Sequence, residues 1–269
     1  MMPKPVVVGT EGSGESLHAV EWAAAEAARR SAPLRIVSVM AVPAHAIGGE
    51  SPVTLEDLMD GIYHQLLRTT ASRAAVVAPD LHVYTELRTG SPGQVLVDEA
   101  TAASMLVVGA YGVGGYAQPG AGPDTRYVTL RASCPIAVIR DPGGIEHGEI
   151  AVGVRTVDGA RSALRFAFEE AALRKAHLTM VHAFDENTPW LGHFTESMAS
   201  WQCQFPQVAV SYKEIDGHPG RILAAYSNFT DLVVVGRHNG SSHHNLSHGS
   251  AIQALLNHAQ APVVIVASD

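Results

Sequence analysis

The feature that most constrains this chain is a stretch that it contains twice. Met105-Leu-Val-Val-Gly109-Ala-Tyr-Gly112 sends an apolar run into a glycine-rich loop that reaches Gly122, and Leu232-Val-Val-Val-Gly236-Arg-His-Asn239 does the same with a loop to Gly249-Ser250. Short apolar runs bounded by turn residues read as buried strands. A strand that passes through glycines into a helix start is a phosphate-binding arrangement. Glycine permits close backbone approach, and the first helical turn offers unpaired N–H groups. The copies are offset by 127 residues (Gly109 to Gly236). The same offset relates Gly90-Ser-Pro-Gly93 to Gly217-His-Pro-Gly220, and Cys134-Pro-Ile to Ala261-Pro-Val. Val8-Gly9 and Val152-Gly153 lie 144 apart, so the second copy is 17 residues shorter between its first and third strands. Repeats of this length are too long for a solenoid, and the chain reads as two homologous domains, 1–141 and 149–269.

Each copy alternates strand and helix. In the first, strands are expected at Pro5–Gly9, Leu34–Met40, His82–Leu87, Met105–Gly109 and Pro135–Arg140. Helices are expected at Ser16–Arg30, from a Thr54-x-x-Asp57 cap to near Pro79, at Pro92–Ala103 and at Asp124–Ala132. Residues 141–148 have the composition of a linker. The second copy then gives strands at Ile150–Val154, Leu178–Phe184, Val208–Ile215, Leu232–Gly236 and Pro262–Ala267. Its helices are expected at Gly159–Ala176, about His193–Gln204, Pro219–Asn228 and Ser250–His258. This alternation predicts an α/β protein of two three-layer α/β/α domains, each with a five-stranded, mainly parallel sheet. Ligands of such sheets sit beyond the carboxyl ends of the strands at the switch point, where both glycine loops begin.

The bulk properties narrow the partners. Hydrophobic residues make up 46% and charged residues 16%, enough to bury a core; the net charge is −8 and no Lys/Arg block occurs, which argues against nucleic acid and anionic membranes. No apolar run is long enough to span a bilayer. Cys134 and Cys203 lie in different halves without metal-like spacing, consistent with a reduced, cytoplasmic chain.

Written as spacing, the loops are G-x2-G-x9-G-P and G-x2-N-x9-G-S. This resembles the ATP-binding signature of the universal stress protein family, G-x2-G-x9-G followed by Ser or Thr. With Val-Gly-Thr-Glu-Gly-Ser, the two Gly-x-Pro-Gly segments and the Cys-Pro-Ile or Ala-Pro-Val starts of the last strands, the whole chain resembles a tandem member. The resemblance implies adenine nucleotide, ATP or AMP, as ligand, and a role in stress response. It also implies pairing of the two last strands, an internal pseudo-dimer about a pseudo-twofold axis; a homodimer of whole chains is a further assembly open to it.

The resemblance assigns Thr10 and Glu11 to the adenine and ribose side of the first domain, where the family usually has Asp. The second domain has Arg155 in that place, reversing the charge. Val39 and Ala183 take the strand-end position that contacts adenine, with plain packing an equal alternative. In the first loop Gly109, Gly112 and Gly122 are kept and Thr125 matches a further hydroxyl position; Pro123 replaces Ser/Thr. In the second, Gly236, Gly249 and Ser250 are kept, with Asn239 for glycine, a residue that tolerates the left-handed region. Asp124 repels phosphate unless magnesium bridges them, and the competing reading is a helix N-terminal acid. Arg126 could offset that charge or be a solvated helix residue. His238, His243, His244 and His248 invite a metal reading, but a polar loop explains them as well. The first domain keeps the better set of nucleotide positions.

No H-E-x-x-H, G-x-S-x-G, C-x-x-C or Walker-type loop occurs, and the glycine loops hold only Arg237 as a cationic clamp. The expectation is a regulator that binds nucleotide with little or no catalysis. The alternatives are a nucleotide-free stress scaffold and a weak ATPase.

Overall fold

The computed structural model describes residues 3–40, 55–111, 121–140, 146–156, 158–184, 200–237 and 251–268. Contacts divide the chain into two compact units, Met1–Cys134 and Pro135–Asp269.

The first unit runs β1 (Val6–Gly9), α1 (Gly14–Arg29), β2 (Leu34–Met40), α2 (Leu55–Val77), β3 (Val83–Thr89), α3 (Pro92–Ala100), β4 (Met105–Gly109) and α4 (Pro123–Arg131). Its strands lie in the order β3-β2-β1-β4, all parallel. Val6, Val7 and Val8 of β1 and Met105, Leu106 and Val107 of β4 are fully buried. That is why these segments read as continuous apolar runs rather than alternating ones. Each such side chain contributes about 1.5–3 kcal/mol by leaving water. The chain goes from β1 outward through β2 to β3, then returns to the other side of β1 as β4. This reversal puts the loops after β1 and β4 side by side, and it is the switch point.

The second unit runs β5 (Ile136–Ile139), β6 (Glu149–Gly153), a 3-10 turn (Asp158–Ala160), α5 (Arg161–Arg174), β7 (His177–Phe184), β8 (Val210–Asp216), α6 (Pro219–Tyr226), a second 3-10 turn (Ser227–Phe229), β9 (Leu232–Arg237), α7 (Ala251–His258) and β10 (Val263–Ala267). Residues 200–204 are helical as well, and Trp201 and Phe205 stack on Phe168 of α5 at 5.7 and 5.1 Å. The strand order is β5-β10-β9-β6-β7-β8. All pairs are parallel except β5 with β10, which are antiparallel with Val138 opposite Val263 and Ile136 opposite Ile265. The last strands of the two sequence copies therefore pair, as expected. Ile136–Ile139 and Val263–Val266 are all buried, and mutual pairing removes two apolar edges. Among the described residues each sequence copy contributes five strands, and β5, the fifth of the first copy, packs within the second unit.

The repeat is visible bond by bond. Glu26 is fully buried and paired with Arg30 at 2.6 Å; its counterpart Glu170, also buried, pairs with Arg174 at 2.8 Å. Ser31 and Lys175, the matching residues after the first helices, both adopt the left-handed conformation, at φ 51° and 54°. Gly90 and Gly217 have φ of 143° and 134°, a turn that only glycine makes without strain. Boundaries differ where caps differ. α1 starts earlier than expected because Ser13 accepts the Ser16 N–H. α5 is preceded by a 3-10 turn, and Ala160 offers its first residue no side-chain cap.

A polar ladder ties the amino ends of three strands in the second unit. Glu149 of β6 takes the Thr179 hydroxyl and lies 2.8 Å from His177 Nδ1, and His177 Nε2 meets Ser211 of β8 at 3.1 Å. Asp231 accepts the backbone N–H groups of His147, Gly148 and Glu149. A cleft of about 540 Å³ next to this ladder is lined by His147, Glu149, Ala225, Tyr226, Phe229 and Thr230. It lies at the opposite strand ends from the glycine loops.

Candidate nucleotide site

The first unit's loops meet at the carboxyl ends of β1 and β4. The loop after β1 is shaped by its own hydroxyls. The Thr10 N–H bonds Val37 O of β2, and the Thr10 carbonyl accepts the Ser38 hydroxyl at 2.8 Å. Gly12 turns with φ 85° and donates its N–H to Ser16 Oγ (3.0 Å) and Thr10 Oγ1 (3.3 Å), and those two hydroxyls lie 3.1 Å apart. Thr10 is 4% exposed, so its hydroxyl builds the loop from inside. Glu11 is exposed and accepts the Ser13 hydroxyl. Its carboxyl is nevertheless crowded by protein. That desolvation raises its pKa, the Ser13 bond opposes the rise, and the charges of Glu15 and Asp124 add to it.

The glycine loop closes against α1. A Cβ on Gly109 would lie 3.3 Å from the Glu15 carbonyl carbon, the Ser16 nitrogen and the Tyr111 oxygen, all backbone atoms. Gly109 is thus the residue that lets the strand end touch the helix start. Thr125, buried in α4, donates its hydroxyl to Gly109 O at 2.9 Å, and the Gly122 N–H bonds Ala110 O at 2.9 Å. Three of the sequence-derived residues, Gly109, Gly122 and Thr125, are therefore joined in one turn; Gly112 lies outside the described residues. Val39 stands half-buried near the end of β2.

Asp124 has a structural duty. Its Oδ1 accepts the Gly93 N–H at 3.1 Å, capping the first turn of α3 from the neighbouring helix. Arg126 donates from Nε to Ala121 O at 2.9 Å, holding the loop's return rather than standing free. Among the described residues no group of three or more His, Cys, Asp or Glu is placed to hold a metal ion. The four histidines of the second loop fall outside them. The residue that sequence reasoning passed over is Glu15, whose Oε2 accepts the Tyr111 N–H at 2.9 Å, 96 residues away. Its signal was an acid in the first turn of a helix that starts at the switch point.

The second unit differs at the equivalent place. Ala183 is buried at the end of β7, and Arg155 is exposed. Among the described residues, a Cβ on Gly236 would meet Ala163 and Gly159 at 3.7 Å. Arg237 is partly buried, which lowers its pKa by desolvation. Asn239, Gly249 and Ser250 lie outside the described residues.

The model of the universal stress protein family matches residues 2–140. Universal stress protein Rv2005c of Mycobacterium tuberculosis is 30% identical over 97% of this chain and 96% of its own length. The chain belongs to the universal stress protein family. A second protein of that organism, universal stress protein Rv2624c, is 29% identical over 98% of this chain and 96% of its own length. The fold matches a universal stress protein from Archaeoglobus fulgidus with a TM-score of 0.79 at 13% identity, covering 99% of both chains. That match supports the tandem α/β architecture alone. No described helix is long and apolar enough to cross a membrane.

Proposed function

We propose that this universal stress protein is a regulator that acts by binding an adenine nucleotide, ATP or AMP, in its first unit, with little or no turnover. The observation that carries this reading is the convergence of Gly109, Gly122 and Thr125 on the start of α1, beside Glu11. It is a compact turn at the switch point, the place where ligands of open α/β sheets bind. The second unit has Arg155 where the first has Glu11, and its Gly236 makes no comparably close approach among the described residues. Binding alone suffices for regulation, because a ligand that favours one conformational or partner state shifts its population without chemistry. Magnesium enters this reading as the counter-ion of a polyphosphate. Asp124 Oδ2 has no hydrogen-bond partner among the described residues, and the Asp124 charge acts on the Glu11 carboxyl.

A second reading, the nucleotide-free scaffold, is favoured by one observation: two backbone N–H groups near the site are already held by carboxylates, Tyr111 by Glu15 and Gly93 by Asp124. Two measurements separate the readings. One is the nucleotide content of freshly purified, acid-precipitated protein. The other is hydrogen exchange of the intact chain with and without AMP or ATP. The nucleotide reading expects slowed exchange at residues 10–16 and 105–111. No change at millimolar nucleotide, or protection confined to the second unit, would overturn it.

A further inference from the structure

We propose that the second unit binds a small primary amine with an aromatic body, in the cleft at the amino ends of its strands. The cleft lies at the opposite strand ends from the glycine loops, so this site does not rest on the nucleotide reading.

The cleft opens between the start of β6 and the turn that follows α6, and its volume of about 540 Å³ is within the roughly 300–1,000 Å³ of small-molecule pockets. Glu149 brings a carboxylate to it, Thr230 a hydroxyl, and Tyr226 and Phe229 two aromatic rings. Among the described residues no Lys or Arg lines it.

The carboxylate is held in place and still has capacity. The Glu149 side chain is 25% exposed. His177 Nδ1, at 2.8 Å, and the Thr179 hydroxyl occupy two of the roughly four acceptor positions that a carboxylate offers. Ser211 fixes the other face of the His177 ring at 3.1 Å, and Asp231 accepts the backbone N–H groups of His147, Gly148 and Glu149. Thr230 is 3% exposed, and its Oγ1 has no hydrogen-bond partner among the described residues. A buried hydroxyl without a partner is unfavourable, and a ligand that packs on Thr230 can supply one. Phe229 is 70% exposed, a large ring at the cleft with most of its surface uncovered.

A primary ammonium matches this set. Its three N–H groups divide between the Glu149 carboxylate and the Thr230 hydroxyl, and its charge is attracted by the carboxylate and by aromatic rings. The rings also receive an aromatic body. An anion meets the carboxylate with no cation to offset it.

The repeat shows that the fold does not dictate these groups. The same backbone bond closes both copies: Asp231 N–H to Glu149 O and Ser104 N–H to Pro5 O, each at 2.8 Å. The counterparts of Glu149, His177, Tyr226, Phe229 and Thr230 are Pro5, Pro33, Glu99, Ala102 and Ala103. The acid among them, Glu99, is paired with Arg35 and Arg88. The first copy thus makes the same turn without either ring, the hydroxyl or the held carboxylate.

The test is isothermal titration of the intact chain with phenethylamine, phenethyl alcohol and phenylacetate. It is run at about pH 8, where an ordinary histidine is neutral and a primary amine is still charged. The native chain is expected to bind the amine about tenfold or more tighter than the alcohol, and phenylacetate not measurably. Glu149→Gln keeps an oxygen acceptor without the charge. It is expected to abolish the preference for the amine while leaving the alcohol within about twofold. Thr230→Val should weaken the amine about threefold, and Phe229→Ala should weaken amine and alcohol alike by about fivefold. Phe229 is exposed, so that variant keeps the fold, and urea midpoints check the other two. Glu169→Gln makes the same charge change at an exposed position of α5 and should bind as native. No binding of phenethylamine to the native chain, equal affinity for amine and alcohol, native affinity in both Glu149→Gln and Phe229→Ala, or the same loss in Glu169→Gln as in Glu149→Gln would each overturn the site.

Discussion

Replacing the first glycine of each loop by alanine should separate the two units cleanly. At Gly109 the new Cβ would sit 3.3 Å from three backbone atoms, two of them in the first turn of α1. A flexible side chain could swing away from such a contact, but here relief requires the helix start or the loop to shift. The helix start is pinned by the Ser13 cap on Ser16, by Ser16 on Gly12 and by Glu15 on Tyr111. Overpacking against a fixed neighbour costs about 1–3 kcal/mol. At Gly236 the nearest atoms among the described residues are at 3.7 Å, an ordinary contact, and the backbone is not in the left-handed region. Alanine there restricts the unfolded chain without straining the folded one and stabilises by about 0.4–1 kcal/mol. The two variants should therefore differ by about 1.5–4 kcal/mol, although both change the same motif position. Urea unfolding of the intact chain, followed by tryptophan fluorescence and by hydrogen exchange in each unit, reads the difference; Trp22 lies in α1 and Trp201 in the second unit. For domains of this size 1 kcal/mol corresponds to roughly 3–6 °C in Tm. Equal shifts for the two variants, or a larger loss for Gly236→Ala, would refute the claim that the first glycine is kept for close approach.

Two further perturbations address caps and charge. Asp124→Ala should cost the first unit about 0.5–2 kcal/mol by leaving the Gly93 N–H uncapped, and His218→Ala should do the same to the second unit through Gly220, whose N–H His218 Nδ1 accepts at 3.2 Å; urea midpoints equal to native would count against both. Glu11 has a folded-state pKa raised by desolvation, so the folded unit gives up stability as pH rises from the ordinary glutamate value through the raised one. Glu11→Gln should therefore melt higher than native at neutral pH and at the same temperature well below pH 4.5, the ordinary value; a gain that persists in acid would point to packing instead.

Much of this was written in the sequence because the signals were of the right physical kind. Strands buried on both faces are continuous apolar runs, so β1, β4, β5, β9 and β10 were found nearly to the residue. The offset of 127 residues identified matching turns at Gly90 and Gly217, and the structure gives both the same unusual φ. The site was less legible, because its contacts join residues far apart in the chain. Glu15 and Tyr111 are 96 positions apart, and no local pattern announces that bond. Asp124 illustrates the opposite difficulty. Its position beside a glycine loop suggested phosphate or metal chemistry, while its nearest work is to cap the first turn of α3 at Gly93, 31 residues earlier. The pairing of β5 with β10 was expected, but the sequence put the boundary after β5, at 141, whereas the contacts of β5 place it in the second unit.

The two copies also show which residues the fold itself demands. Where a buried backbone group needs a partner, the repeat keeps the bond and changes the residue that makes it. The loop carbonyl of Thr10 is satisfied by Ser38, and that of its counterpart Val154 by the ring of His182, each at 2.8 Å. The first-turn N–H of α3 is capped by Asp124 from across the unit, and that of α6 by the adjacent His218. Such substitutions follow from the cost of leaving a buried polar group unpaired, about 1–3 kcal/mol, which any solution to the fold must avoid. Glu11 and Glu15 do not fit this pattern. Their counterparts Arg155 and Gly159 cannot accept a hydrogen bond through a side chain, so no corresponding acceptor has been preserved. The fold of the second unit does without these carboxylates, so the fold alone does not call for them in the first. What distinguishes the units at this point is charge: two acids in the first where the second has a cation and a glycine.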